Sequence, residues 1–267
     1  MIIAHISDPH ITTAGQDVDR LFNTAAHLER AASHLNGLSV RPDCVIVTGD
    51  CINGGSGGYA HEYDRFGRLI APLTMPVYVV PGNHDSREHL RAFISSRATQ
   101  VMPDFIQYAV DDGPVRLIAL DTHIPGRADG ELCAVRLGWL EERLAEAPGR
   151  PTVLCMHHPP FATYLQPSDD IGLKGADALG AIVARYPNVE RILAGHVHRA
   201  VQRRFWGSLA MTCPSTAHQF SLDLKRTSGF EAIMEPPACL LHVWHPAGSL
   251  VTHTSVIGAF GPAMMLA

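Results

Sequence analysis

The sequence lacks several features that would assign it to a specialised class of protein. No block of Lys and Arg stands out, and the formal net charge is −5, so we expect no nucleic-acid polymer as a partner. No apolar stretch is long enough to cross a bilayer, and the first ten residues, MIIAHISDPH, lack the features of a signal peptide. These absences predict a soluble, cytoplasmic protein that does not bind a membrane.

Cysteines are few and scattered. There are six, none of them forms a C-x-x-C pair, and Cys44 and Cys155 lie inside apolar runs. This pattern favours buried free thiols in a reducing compartment over a disulfide framework. Charged residues are also sparse, at 18% against 46% apolar residues, which is an ordinary globular composition.

No internal repeat or low-complexity linker divides the 267 residues. We therefore expect one domain over residues 1–267, with a β-rich C-terminal part and a cap segment from about 199–267. That length is ample for a sizeable core.

Apolar runs that predict strands alternate with amphipathic patterns that predict helices. The predicted strands are MIIAHIS (1–7), DCVIVTGD (43–50), PVYVVPGNHD (76–85), VRLIALD (115–121), PTVLCMHH (151–158) and VERILAGHVH (189–198). Helices are predicted over 17–38, 61–73, 86–96 (with Ser86 as N-cap), 136–147 and 176–187. Hairpins are predicted over 201–213 and 237–256, and residues 164–178 are predicted to be a loop. The order predicts a layered α/β domain.

Five predicted strands end in residues of types that bind metals. The carboxyl edge of an α/β sheet is where ligands bind, and random placement would scatter such residues over both strand ends and the helices. The strand-end residues are Asp8 and His10; Asp50; Asn83, His84 and Asp85; His157 and His158; and His196 and His198.

Each motif also has an ordinary structural explanation. The segments at 8–10 and 82–85 suit turns, Asp50 suits a helix N-cap, and the histidine pairs suit polar loops. All five motifs occurring together at strand ends favours a functional site.

Mixed Asp, Asn and His ligands suit Mn, Fe, Zn or Co. Asp50 is the natural bridge between two such metals because a carboxylate has two oxygens and Gly49 lets the backbone approach.

These motifs resemble the five signature blocks of the calcineurin-like metallophosphoesterases. The matching blocks are D-P-H (8–10), G-D (49–50), G-N-H-D (82–85), His157 and G-H-V-H (195–198). The segments AHISDPH, RPDCVIVTGD, YVVPGNHD, MHHPP and STAHQ are similar to the branch that holds class III cyclic nucleotide phosphodiesterases and enteric-type glycerophosphodiesterases. The resemblance implies a layered α-β-β-α sandwich, typical of metallo-dependent phosphatases, with a small cap or dimerisation segment, and a homodimer or higher oligomer.

The resemblance also implies roles for individual residues. Two divalent or trivalent metal ions would bind, one through Asp8, His10, Asp50 and His198, and the other through Asp50, Asn83, His157 and His196. A metal-bound hydroxide would hydrolyse the substrate, with Asp50 and His84 as catalytic residues. His84 would act as an acid or as an electrostatic stabiliser. Candidates for substrate contacts are Asn53, His158 and His218. The segment around Asn53 is chiefly a flexible turn, His158 also suits a polar position at a strand end or behind a ligand, and His218 suits a surface loop equally well.

We therefore expect an enzyme that hydrolyses small phosphodiesters, such as cyclic nucleotides or glycerophosphodiesters. A phosphomonoesterase or a nucleotide pyrophosphohydrolase of the same superfamily is the main alternative. A nuclease is disfavoured by the absence of a basic surface, and a non-catalytic scaffold by the filling of every ligand position. The glycine-rich stretch GGSGGY (54–59) departs from the enteric enzyme, so substrate preference does not follow from the resemblance.

Overall fold

A computed structural model describes residues 1–54, 58–225, 229–245, 247, 249–261 and 264–265. The strands are Ile2–Ile6 (β1), Cys44–Val47 (β2), Val77–Val79 (β3), Tyr108–Val110 (β4), Arg116–Ala119 (β5), Gly130–Glu131 (β6), Thr152–Cys155 (β7), Leu173–Lys174 (β8), Val189–Ala194 (β9), Gln202–Phe205 (β10), Ser208–Thr212 (β11), Gln219–Phe220 (β12), Ala232–Ile233 (β13), Ala238–His245 (β14) and Ser249–Val256 (β15). The helices are Asp17–Phe22 (α1), Thr24–Asn36 (α2), Tyr59–Ile70 (α3), Arg87–Leu90 (α4), Ala134–Glu146 (α5), Gln166–Asp170 (α6) and Ala176–Val183 (α7), and a 3₁₀ turn spans Arg91–Phe93.

Two larger sheets form the centre of the molecule. One has the order β15-β14-β1-β2-β3 and the other β10-β11-β9-β7-β5-β4. The strands β1, β2 and β3 are parallel to one another, and so are β5, β7, β9 and β11. Their carboxyl ends therefore lie at one edge of each sheet. The strand pairs β12–β13 and β6–β8 form two small additional sheets.

The core follows from the alternation of side chains along the strands. Val153 and Cys155 of β7 belong to the apolar cluster shared by both sheets, α2 and α3. Leu154, between them, belongs to a second cluster, in which it packs with Leu140 of α5 and Leu179 of α7. Helices thus cover the outer face of each sheet, and the predicted layered α-β-β-α sandwich is confirmed.

Three predicted elements differ in detail from the structure. The helix predicted over 17–38 is interrupted at Asn23, whose φ of 47° is left-handed and divides α1 from α2. The helix predicted over 86–96 is a single turn followed by the 3₁₀ turn, and the Ser86 side chain makes no capping hydrogen bond. The loop predicted over 164–178 contains α6 and β8, because Asp169 accepts hydrogen bonds from Thr163 and Tyr164 and folds the segment back.

The C-terminal hairpins extend the two larger sheets. Strands β10 and β11 pair in one sheet and β14 and β15 in the other, which agrees with the predicted hairpins. Part of the second turn, at 246 and 248, and part of the glycine-rich stretch, at 55–57, lie outside the described residues. All six cysteines are free, and only Cys133 is not fully buried. Among the described residues, no helix has both the length and the apolarity that crossing a membrane requires.

Candidate metal centre

Seven predicted ligand residues meet at the carboxyl edges of the two sheets. Asp8, Asp50 and Asn83 follow β1, β2 and β3, whereas His157 and the histidine pair at 196 and 198 follow β7 and β9. The backbone bends sharply where these side chains leave their strands. Five of the seven have left-handed φ values between 45° and 72°, which cost non-glycine residues about 1–3 kcal/mol each. These five are Asp8, His10, Asp50, His196 and His198.

Glycines let the strand ends approach closely. A Cβ on Gly49 would lie 2.6 Å from His157 Nδ1 and 2.7 Å from the amide nitrogen of Gly82. A Cβ on Gly195 would lie 2.7 Å from Asp8 Oδ2. Any side chain at either glycine would therefore push ligand residues apart.

The first group of donors consists of Asp8, His10, Asp50 and His198. His10 Nε2 lies 3.1 Å from His198 Nε2 and 3.5 Å from Asp50 Oδ2. His198 Nε2 lies 3.6 Å from Asp8 Oδ1. All four side chains are buried, so their donor atoms face one another rather than bulk water.

The second group shares Asp50 with the first. His157 Nε2 lies 3.4 Å from Asp50 Oδ2, 3.0 Å from Asn83 Oδ1 and 3.2 Å from His196 Nδ1. His196 Nδ1 lies 3.1 Å from Asn83 Oδ1. One oxygen, Asp50 Oδ2, is thus close to a histidine nitrogen of each group.

Backbone carbonyls fix the ring orientation of two histidines. His157 Nδ1 donates to the Thr48 carbonyl at 2.8 Å, and His198 Nδ1 donates to the His218 carbonyl at 3.0 Å. With the proton on Nδ1, each Nε2 presents a lone pair to the centre. Lone pairs on His157 Nε2 and Asn83 Oδ1 at 3.0 Å repel each other unless a cation lies between them, so this donor set fits bound metal ions.

The charge state of the buried groups is consistent with that fit. Burial lowers the pKa of His10, His196 and His198 well below the usual value, so these rings are neutral donors. Burial raises the pKa of Asp8 to about 7, with the nearby His157 acting in the opposite direction. Burial lowers the pKa of His157, but the Asp50 carboxylate outweighs it and raises the value to about 9. The proton that His157 and Asp50 share thus places positive charge between the two side chains, where a metal cation would also be favoured.

His84 lies beside the donor groups. Its backbone N–H donates to Asp50 Oδ1 at 2.9 Å, and its ring Nδ1 donates to the Asn53 carbonyl at 2.5 Å. Its ring makes an edge contact with His10, with 4.8 Å between the centroids. The structure therefore brings Asn53 to the centre through its backbone oxygen, and His84 Nε2 has no hydrogen-bond partner among the described residues.

His158 and His218 lie on opposite sides of the donor groups. His158 is fully buried, and it bonds to the Thr122 hydroxyl at 2.8 Å and the Ala128 carbonyl at 3.0 Å, so both ring nitrogens have partners. The ring of His218 lies 4.7 Å from that of His198 and stacks on Phe22 at 4.2 Å. His218 Nδ1 is buried without a hydrogen-bond partner among the described residues.

Two residues of helix α3, Glu62 and Tyr63, support the site and were not predicted from the sequence. Asp85 is buried and accepts hydrogen bonds from Tyr63 Oη at 2.8 Å, the Gly82 amide at 2.8 Å and the Cys51 amide at 3.2 Å. Asp85 thereby ties the Asp50 loop to the Asn83 loop. Glu62 is also buried and accepts from Thr12 Oγ1 and the Gly54 amide, both at 3.0 Å. The signal in the sequence was the spacing of Glu62 with Phe66 and Leu69, which places it on the apolar face of the helix but does not identify its partners.

Comparisons with known proteins agree with this arrangement. The family model described as calcineurin-like phosphoesterase matches residues 1–200. A probable glycerophosphodiester phosphodiesterase from Arcobacter nitrofigilis is 35% identical, covering 98% of this chain and 96% of its own length. A cAMP/cGMP dual specificity phosphodiesterase from Mycobacterium tuberculosis is 32% identical, covering 84% of this chain and 70% of its own.

Solved structures share the fold at low sequence identity. A dimetal phosphatase from Danio rerio has a TM-score of 0.65 at 14% identity and covers 97% of this chain and 99% of its own. A purple acid phosphatase from yellow lupin has a TM-score of 0.68 at 14% identity and covers 96% of this chain and 51% of its own. The family model and the relatives over most of the length lead to one conclusion: the chain belongs to the calcineurin-like phosphoesterase family.

Proposed function

We propose that the protein is a metal-dependent phosphodiesterase that hydrolyses small phosphodiesters such as cyclic nucleotides or glycerophosphodiesters. The observation that carries the proposal is the position of Asp50 Oδ2, at 3.5 Å from His10 Nε2 and 3.4 Å from His157 Nε2. A carboxylate shared by two sets of histidine, aspartate and asparagine donors suits two metal ions in one pocket. The names of the relatives favour diesters over monoesters.

Asp8, His10, Asp50 and His198 would hold one metal ion, and Asp50, Asn83, His157 and His196 the other. Their ligand chemistry suits Mn, Fe, Zn or Co. When bound, such ions lower the pKa of water and neutralise charge on phosphate oxygens. The protein contributes fixed donors in a buried pocket that need little reorganisation on binding.

His84 would contact the substrate. Its Nδ1 proton is engaged by the Asn53 carbonyl, which fixes the ring and directs Nε2 towards the pocket. A proton on Nε2 would stabilise negative charge on the phosphoryl group or pass to the departing oxygen. His218, whose ring lies beside that of His198 on one side of the donors, would line the substrate pocket.

Two assays test the proposal. The first compares hydrolysis of bis-p-nitrophenyl phosphate with that of p-nitrophenyl phosphate in the presence of Mn²⁺, then extends to 3′,5′-cAMP, 2′,3′-cAMP and glycerophosphocholine. Faster cleavage of diesters is expected, and dominant cleavage of the monoester would overturn the proposal in favour of a phosphomonoesterase.

The second assay measures bound metal by elemental analysis. The wild-type protein should bind two equivalents, and Asn83→Ala should weaken one site while leaving the other. A matched control is Asn188→Ala, since Asn188 lies immediately before β9, away from the centre, and its side-chain amide donates to the Ala147 and Arg150 carbonyls and to Thr152 Oγ1. Equal metal binding by wild type and Asn83→Ala would refute the assignment of the second group.

We also propose that the protein forms a homo-oligomer through the segment between β12 and β14. Its described part exposes large apolar side chains, which isolated chains seldom leave in contact with water as a patch. These are Leu222, Leu224, Phe230, Ile233 and Met234, between 41% and 61% exposed. Light scattering coupled to size exclusion should give a multiple of 29.0 kDa, and a monomer at micromolar concentration would refute this point.

A further inference from the structure

A continuous line of buried hydrogen bonds runs from hairpin β14–β15 to the candidate metal centre. His242 Nδ1 lies 2.9 Å from Thr252 Oγ1, and His242 Nε2 lies 3.4 Å from His5 Nδ1. His5 Nε2 lies 2.8 Å from Thr48 Oγ1, which donates to Ser7 Oγ at 2.7 Å. All of these side chains except Thr252 are fully buried.

The line ends at the second donor group. The Ser7 hydroxyl donates to the Thr48 carbonyl at 3.3 Å. The same Thr48 carbonyl accepts the proton of His157 Nδ1 at 2.8 Å. The line therefore reaches the donor residue His157 through the Thr48 carbonyl.

The direction of every bond in the line is determined. Because Thr48 gives its hydroxyl proton to Ser7, the Thr48 oxygen must accept from His5, so His5 carries its proton on Nε2. His5 Nδ1 then accepts from His242 Nε2, and His242 Nδ1 accepts from the Thr252 hydroxyl. All protons point from the hairpin towards the Thr48 carbonyl, an arrangement in which each bond polarises the next.

We propose that His5 and His242 are positioning residues for the metal centre, which hold the Ser7 hydroxyl proton on the Thr48 carbonyl, the acceptor of the His157 Nδ1 proton. The inference rests on the proposed role of His157 as a metal ligand. Loss of the His242 donor would let His5 move its proton to Nδ1 and accept from Thr48. The Thr48 hydroxyl oxygen would then accept from Ser7, so the Ser7 proton would turn away from the Thr48 carbonyl.

The test is the affinity of the protein for Mn²⁺, with no other ligand added. The signal of the free ion in electron paramagnetic resonance measures how much Mn²⁺ remains unbound. His242→Leu should weaken binding about 10-fold, the lower end of the range for loss of an outer partner of a ligand, because it acts through His5 and Thr48. Ser7→Ala should give a similar loss, and the double variant no further loss, because both remove the same donor. His242→Gln keeps an N–H for His5 and an acceptor for Thr252, and should bind like wild type.

Nitrogen NMR of the histidine rings gives a second readout that a merely structural role would not move. His5 should carry its proton on Nε2 in the wild type and on Nδ1 in His242→Leu. Thr254→Val, on the same strand as Thr252 but outside the line, should change neither readout. Wild-type affinity in His242→Leu, additive losses in the double variant, or an Nδ1 proton on His5 in the wild type would each overturn the proposal. Failure of the wild type to bind Mn²⁺ would instead refute the proposed function.

Discussion

Glu62 offers a sharp test of how helix α3 supports the site. Its carboxylate accepts hydrogen bonds from Thr12 Oγ1 and from the Gly54 amide, both at 3.0 Å in a fully buried position. Thr12 lies two residues after His10, and Gly54 follows Asn53, whose carbonyl holds the His84 ring. One side chain thus anchors two loops that carry residues of the site.

Glu62→Leu leaves both donors without a partner and replaces the carboxylate with an apolar side chain of similar size. A buried donor without an acceptor costs about 1–3 kcal/mol, and the half-buried Gly54 amide belongs at the lower end of that range, so the free energy of unfolding should fall by about 2–4 kcal/mol. For a chain of this length, the melting temperature should fall by roughly 5–10 °C. Glu62→Gln should cost less than about 1 kcal/mol, because its carbonyl accepts from Gly54 and its NH₂ donates to the Thr12 hydroxyl.

Urea unfolding of the two variants measures the stability difference, and kcat on a series of aryl phosphodiesters measures the effect on the site. The loss in kcat for Glu62→Leu should grow as the leaving group becomes more basic, because His84 is displaced with the Asn53 carbonyl. Glu62→Gln should follow wild type in both measurements. If Glu62→Leu is as stable as Glu62→Gln, the reasoning about the two hydrogen bonds is wrong.

Three further predictions concern the same region. Gly49→Ala should abolish binding of one metal equivalent in elemental analysis, because its Cβ would lie 2.6 Å from His157 Nδ1; retained stoichiometry would contradict the close approach. Burial lowers the pKa of His242 to about 3 and that of His5 well below normal, so folding favours their neutral forms. Their stability contribution is complete above pH 6.5 and falls below it by up to about 1.4 kcal/mol per pH unit for each ring, as urea titrations between pH 7 and 5 should record. His242→Gln should reduce that slope, and an equal slope would exclude His242 as its source. Chelation of metal should lower the melting temperature of the wild type but not of a variant that binds none, and an unchanged value would argue against tight binding.

The donor residues could be predicted because their positions depend on local sequence and one general property of parallel sheets. Asp8, Asp50 and His157 each follow a short apolar run within three residues, so recognising the strands also located the site. The layered architecture followed from the same alternation of strands and helices.

The supporting residues could not be predicted because their role depends on packing between distant segments. Glu62 and Tyr63 lie on an amphipathic helix, where acidic and aromatic residues usually have other roles, and only the docked helix directs them at the loops. In the sequence, nothing distinguishes His5 from an ordinary strand residue. Its partner is brought close only by the pairing of β14 with β1, which places His242 Nε2 3.4 Å from His5 Nδ1. The break between α1 and α2 at Asn23 could not be predicted because the apolar spacing continues across it.

The left-handed backbone at the strand ends has a consequence for how this centre tolerates sequence change. The five positions are Asp8, His10, Asp50, His196 and His198. There the backbone preference of a new residue determines first whether the fold accepts it, whatever the substitution does to metal coordination. Asn and Gly enter that region readily, whereas Val and Ile resist it strongly. Asn at residue 8 or 50 would thus remove a metal-binding carboxylate with less damage to the fold than Val or Ile would. A homologue that has lost catalysis by such a substitution would keep the fold of its ancestor.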